Sequence, residues 1–299
     1  MAEDILQLDA TLTGPTRKPR SLWSDAKARL LANAVARLGI VIIVMFALMS
    51  VLPALFWPYN PRIDSDLTVR LKPPSAQHWM GTDTQGRDVL RRVVQGARVS
   101  LGGGIGAVTI AVLVGTLLGL VSGFVGSKLD IVLMFLMDIL LAFPSTLLAI
   151  AIVSMRGPGL FNSLIAVSIV SIPVYARIAR STVLSLKRRE YVTAARAIGS
   201  DETRILFRQI FPNSLPPVVV QATLGVATSV IEIAALGFLG LGAQPPTPEW
   251  GSMLADSYKY LTSGSWWVLF FPGLAIMLTV LGFNLFGDGL RDALDPQMR

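Results

Sequence analysis

Six long apolar stretches dominate this chain, and they leave it few ways to fold. An α-helix rises 1.5 Å per residue, so crossing a hydrocarbon layer of roughly 30 Å takes about 20 apolar residues. Runs of that length lie at approximately Leu38–Trp57, Val99–Phe124, Leu129–Ser154, Leu160–Ala176, Leu215–Leu239 and Trp266–Phe286. Backbone groups have no water to bond in lipid, so such runs must be helical. The expected fold is therefore an all-α polytopic membrane protein with six transmembrane helices. Mean hydropathy of +0.60, with 53% hydrophobic and 15% charged residues, excludes an ordinary soluble domain.

Charge placement orients the spans. An even number of crossings puts both termini on one side, and with the amino terminus inside, 17 of the 26 Lys and Arg residues fall on cytoplasmic segments. The densest group is Arg177, Arg180, Lys187, Arg188, Arg189, Arg196, Arg204 and Arg208, between the fourth and fifth runs. The basic residues are not interleaved with aromatics, so a nucleic-acid surface is not indicated. With no Cys and a single His, His78, thiolate zinc sites, disulfides and Cys or His nucleophiles are excluded, and neither a catalytic residue nor a metal site is expected.

Several positions carry more than topology. Asp138 and Glu232 lie inside the third and fifth runs, where an ionised acid costs about 2.5–3.5 kcal/mol on insertion scales. Each has two readings, as polar packing or a cap, or as a carboxylate on a wet translocation path that meets a substrate ammonium. Pro144 should kink the third run. Gly115, Gly119 and Gly123, spaced by four, predict close helix packing. In the first outer loop, Val89, Leu90, Val93 and Val94 form an apolar stripe, with Arg87, Arg91 and Arg98 toward another face, the pattern of a helix lying in the membrane interface. Between the last two runs, Pro246, Glu249 and Trp250 belong to a proline-rich segment, read either as an exposed platform for an external protein or as a plug ending the fifth span.

The cytoplasmic segment 189–213 predicts two short helices. The first ends at Gly199, Asp201 caps the second, Leu206 with Ile210 and Phe207 with Phe211 form i, i+4 pairs, and Pro212 closes it. Neither piece is long enough to cross a bilayer. Thr193-Ala194-Ala195, three residues, Gly199, nine residues, then Gln209-Ile210-Phe211-Pro212 resembles the signature E-A-A-x3-G-x9-I-x-L-P of binding-protein-dependent ABC permeases, with Thr193, Gln209 and Phe211 as departures. The resemblance implies that Thr193, Ala194, Ala195, Gly199, Ile210, Phe211 and Pro212 form a coupling element seated in a cytosolic ATPase. His78 to Asp83, Gly86 to Leu90 and Gly96 to Leu101 look like the outer-loop signature of peptide and nickel permease C subunits. Ala235 to Gly240, Pro245 to Gly251 and Gly287 to Pro296 are similar to the dipeptide branch.

That resemblance implies an ABC type I importer permease core. The layout is a cytoplasmic tail 1–37, a first span 38–57, an outer loop 58–97 with the interfacial helix, a core 98–288 containing the coupling loop, and a cytoplasmic tail 289–299. The implied partners are a sister permease forming a heterodimer, two cytosolic ATP-binding subunits, an extracytoplasmic peptide-binding protein, membrane lipid and a peptide substrate, in the bacterial inner membrane. No G-x-x-x-x-G-K-[ST] loop occurs, so no cofactor is expected on this chain and ATP and Mg belong to the partner subunits. The expected function is import of dipeptides or short oligopeptides by alternating access. Nickel chelates or other small peptides are the alternative cargo. A proton-coupled secondary transporter using Asp138 and Glu232, or an intramembrane enzyme, are the readings from other classes.

Overall fold

The computed structural model describes residues 22–56, 60 and 64–295, and the expected tail lies outside the described residues up to position 21. Among the described residues the first two helices are α1 (Leu22–Ala32) and α2 (Ala34–Phe56), separated by Asn33, whose Oδ1 accepts from the N–H groups of Val35 and Ala36 at 2.9 and 3.3 Å. There follow α3 (Val89–Val125), α4 (Ser127–Leu141), α5 (Ser145–Arg156) and α6 (Leu160–Leu186). The second half holds α7 (Glu190–Ala197), α8 (Glu202–Ile205), α9 (Phe211–Phe238), α10 (Trp250–Ser257) and α11 (Trp267–Leu294). Among the described residues, five helices are long and apolar enough to cross a membrane, and α4 with α5 makes a sixth if the pair is one span.

The third apolar run departs from the expected kink. α4 and α5 meet at 92°, too sharp for a bent helix. Pro144 sits in extended backbone (φ −56°, ψ 129°) ahead of α5, because its ring disfavours helical geometry at Phe143 and it has no N–H to continue the ladder.

The interfacial helix expected in the outer loop is instead the first turns of α3, which runs unbroken for 37 residues, roughly 55 Å. The arginines at its head, Arg87, Arg91 and Arg92, are taken up by acids rather than spread on a membrane surface. Asp83, nearly inaccessible, accepts from Arg87 Nε at 2.7 Å, from Arg92 Nη1 at 2.5 Å and from the backbone N–H groups of Gln85 and Arg87. Asp256 lies 3.9 and 3.6 Å from the same two guanidinium groups, so two acids balance two bases. Trp267 Nε1 donates to the Thr82 carbonyl at 3.1 Å, tying this cap to the head of α11. Gly86 (φ +70°) is required there, since a Cβ would stand 1.7 Å from the Asp66 carbonyl oxygen.

The core is a bundle of α3, α6, α9 and α11, with α2 against α11. Val93, Ala97, Leu101 and Val108 of α3 pack with Tyr175 and Ala179 of α6, Val226 and Val230 of α9, and Val268 and Phe283 of α11. The glycine ridge makes the tightest contact. A Cβ on Gly115, Gly119 or Gly123 would come within 2.6, 2.3 and 3.0 Å of the carbonyl oxygens of Ile172, Ala176 and Arg180. The predicted tail after residue 288 is not a tail: α11 continues to Leu294, with Leu290 and Ala293 buried and Gly289 facing Ala36 of α2 at 2.4 Å from an added Cβ. Residues 296–299 lie outside the described residues.

Candidate functional site

The elbow expected over 189–213 begins where α6 ends. α7 stops in a Schellman motif: Ser200 N donates to Ala195 O at 3.0 Å, Gly199 N donates to Arg196 O at 2.9 Å, and Gly199 takes φ +79°. Asp201 then caps α8 by accepting from Thr203 N at 3.1 Å and from the Thr203 hydroxyl, which holds its carboxyl below the ordinary aspartate value. Arg196 grips Glu202 through both carboxylate oxygens, Nε at 2.7 Å and Nη2 at 3.0 Å, fixing the angle between α7 and α8.

Pro212 does not close the second helix as the sequence suggests. The helix passes through it into α9, because Leu206–Ile210 opens into a π-turn in which Phe211 N reaches back to Leu206 O. A widened turn relieves the clash a proline ring makes with the carbonyl four residues earlier and leaves its missing N–H without consequence. The elbow is therefore a continuous extension of the fifth span.

The signature residues divide by exposure. Val192, Ala195, Ile205 and Ile210 are buried with Leu120 of α3 and Val183 of α6, so Ala195 and Ile210 anchor the elbow and cannot meet a partner directly. Thr193, Ala194, Gly199 and Pro212 are exposed and Phe211 is half-buried. The free surface also presents Tyr191, Phe207 and Ile198, the last 83% accessible. None of the three was read from sequence as a docking residue; Phe207 entered only as half of an i, i+4 pair with Phe211. Lys187 donates to Phe124 O at 2.6 Å at the end of α3, joining elbow, α3 and α6.

Asp138 and Glu232 are not brought together. Glu232 on α9 is half-buried and lies near Ser145, at the head of α5 beside the break. Asp138 on α4 pairs with Arg177 Nη2 on α6 at 2.6 Å, both side chains more than half exposed (58% and 53%). Eight residues earlier on α4, Asp130 is saturated, taking Nε and Nη2 of Arg180 at 2.5 and 2.6 Å as well as the Ser122 hydroxyl. Arg177 and Arg180 read in sequence as topology signals, and Asp130 drew no reading. Their pairing depends on α4 and α6 becoming neighbours.

Of the two readings of the proline-rich segment, the exposed platform does not hold for Glu249 and Trp250. Glu249 and Trp250 are fully buried and form no exposed platform; Pro246 alone of the three is at the surface. Glu249 caps α10, accepting from Gly251 N and Ser252 N at 2.8 Å each and from Ser100 Oγ at 3.1 Å. Burial pushes its carboxyl above the ordinary glutamate value, against the opposing pull of those bonds. Trp250 donates to Val93 O at 2.9 Å and meets Phe46 edge-on at 5.6 Å. A Cβ on Gly237 would lie 2.1 Å from Glu249 Oε2 and one on Gly251 2.0 Å from Ala234 O. The motifs Ala235–Gly240 and Pro245–Gly251 are thus two halves of one packing joint.

Comparison with known proteins agrees with this architecture. Residues 115–299 match the family described as binding-protein-dependent transport system inner membrane component, and residues 21–74 match the N-terminal transmembrane domain of oligopeptide transport permease C. A dipeptide transport system permease protein of Alkalihalophilus pseudofirmus is 51% identical over 93% of this chain and 91% of its own. That of Escherichia coli K12 is 46% identical over 89% and 90%. A glutathione transport system permease protein of Pectobacterium atrosepticum is 42% identical over 94% and 93%. In fold, the chain superposes on one in an inward-facing structure of the MetNI methionine ABC transporter, with TM-score 0.57 at 19% identity, covering 68% of this chain and 96% of that one. The chain belongs to the binding-protein-dependent transport system inner membrane component family, the multi-pass, non-catalytic permeases of ABC transporters.

Proposed function

We propose that this permease carries dipeptides or short oligopeptides inward as half of a heterodimeric pore, driven by cytosolic ATPases that dock on the elbow and supplied by an external peptide-binding protein. Three features of the elbow support the coupling role together. It is braced by a buried apolar cluster, its angle is clamped by Arg196 and Glu202, and it runs without interruption into α9. A displacement applied to its exposed face, Tyr191, Ala194, Ile198 and Phe207, passes to the spans α6 and α9 as a lever rather than being absorbed by a loop. Of the two candidate path residues, Glu232 lies on α9 itself, and Asp138 on α4 is tied to α6 through Arg177.

The cargo rests on relatives named for dipeptide transport at 46–51% identity. With both termini in the cytoplasm, the exposed turn around Pro246 remains on the outer side as the binding-protein contact. The test uses the complete complex in proteoliposomes. Ile198→Asp with Phe207→Asp changes only accessible side chains, and it should abolish ATP-dependent dipeptide uptake while the permease heterodimer still assembles. Unaltered uptake with the doubly substituted elbow, or uptake that persists without ATP under a clamped proton gradient, overturns the assignment.

A further inference from the structure

A second site lies on the outer half of the molecule, away from elbow and path. Between α2 and α3, with α11 at its back, is a groove of about 400 Å³ lined by Ala47 and Val51, by Arg98, Gly102 and Ile105, and by Phe283. Its volume falls within the range of about 300–1,000 Å³ typical of small-molecule pockets. Its walls are almost wholly apolar, and one cation stands among them.

Arg98 is the anomaly. Arg87, Arg91 and Arg92, one to three turns above it on or beside α3, each reach an acid: Arg91 pairs with Asp64 at 2.6 Å, and the other two with Asp83. Arg98 is exposed, and among the described residues it makes no hydrogen bond or ion pair. It is also the last charged residue of α3, since none occurs from Val99 to Ser127. It therefore stands where the helix enters the apolar layer, the level of phospholipid phosphates, where a guanidinium needs an anion.

Gly102, one turn deeper, has a distinct role among the α3 glycines. A Cβ on Gly103 or Gly104 would press on Ile233 or Val230 at 3.0 and 2.5 Å, so those positions serve helix packing. A Cβ on Gly102 would meet nothing within 4 Å. The missing side chain there leaves room in the groove and answers no protein neighbour.

We propose that this groove is a phospholipid site: the phosphodiester of an outer-leaflet lipid accepts from the Arg98 guanidinium, and one acyl chain lies along Gly102 and Ile105 against Phe283. Charge complementarity selects the occupant, because the groove offers one unpaired planar donor fork above an apolar slot. Anionic headgroups are favoured, because an ammonium on the lipid itself competes for the phosphate.

The test is lipid retention by the intact, delipidated transporter complex, followed by native mass spectrometry during titration with phosphatidylglycerol. Arg98→Gln should weaken binding at least about tenfold, the equivalent of one charge-assisted hydrogen bond, and Arg98→Lys should recover part of the loss. Gly102→Phe should fill the slot and remove the same bound lipid. Glycerol phosphate, the headgroup without chains, should not displace it. A lipid carrying a photoreactive acyl group should cross-link within residues 101–105 of the unsubstituted chain, which keeps the test decisive if Gly102→Phe does not assemble. Equal retention by the unsubstituted, Arg98→Gln and Gly102→Phe complexes overturns the proposal. So does cross-linking of a photoreactive residue at position 47 to another protein subunit rather than to lipid.

Discussion

Substituting the glycines of α3 one at a time should rank them by a distance that the structure specifies. Ordinary van der Waals contact for a Cβ begins at about 3.4 Å, and at Gly119 the new atom would sit 2.3 Å from Ala176 O, 2.7 Å from Ala179 Cβ and 2.9 Å from Arg180 N. Two of these are backbone atoms of α6, so no rotamer change relieves the overlap and the helices must part by about 1 Å. Overpacking of this kind costs about 1–3 kcal/mol. Replacing Gly by Ala in a helix returns about 0.8–1 kcal/mol of propensity, so Gly119→Ala should be destabilised by up to about 2 kcal/mol net. In lipid the parted surfaces lose dispersion contacts with no hydrophobic compensation, so relaxation recovers little. Gly115→Ala, at 2.6 Å from Ile172 O, should follow closely, and Gly123→Ala, at 3.0 Å from Arg180 O, should be near neutral. Gly273→Ala on α11, where a Cβ meets nothing within 4 Å, should be slightly stabilised. Thermal unfolding of the detergent-solubilised complex gives the ranking. If Gly119→Ala melts at or above Gly273→Ala, backbone contact between α3 and α6 is not what the glycines provide.

Two further substitutions separate readings of the charged groups. Glu249→Gln keeps the shape but sets an amide NH₂ against donors that now converge on a carboxylate, and should cost about 1–3 kcal/mol in thermal stability. Because burial raises the folded-state pKa of Glu249, its contribution is complete below the ordinary glutamate value and declines as pH rises through the folded one. The stability gap between native and Glu249→Gln should accordingly narrow with increasing pH; a gap that widens contradicts the burial. For Asp138 and Arg177, a double-mutant cycle with Asn and Gln should give a coupling below about 1 kcal/mol if their exposed faces meet water. The more enclosed, bidentate Asp130 and Arg180 should couple more strongly, and a larger value for Asp138 than for Asp130 would rule out a wet path there.

Much of the fold is written in local pattern. Runs of apolar residues locate the spans because the need for internal backbone bonding in lipid applies wherever such a run occurs. The end of α7 at Gly199 and the cap at Asp201 are equally local, each satisfied within a few residues. The glycine spacing likewise announces a close helix contact. What misled were signals whose meaning depends on a neighbour. The arginines at the head of α3 look amphipathic until Asp83 folds back and absorbs Arg87 and Arg92. Pro212 looks like a terminator until the turn before it widens.

Glu249 and Trp250 show the same boundary most plainly. In sequence they follow prolines and read either as an exposed platform or as a plug; in the bundle they fill the space left by Gly237 and Gly96, and the acid becomes a cap. The sequence by itself determined where the apolar helices lie, the elbow and the family, because lipid and helix geometry act on consecutive residues. Only the tertiary structure decided which charges are paired, which signature residues are buried anchors and which form a free surface, and that Arg98 pairs with no acid among the described residues. Those outcomes depend on distances between residues far apart in the chain, which no local rule of helix or bilayer specifies.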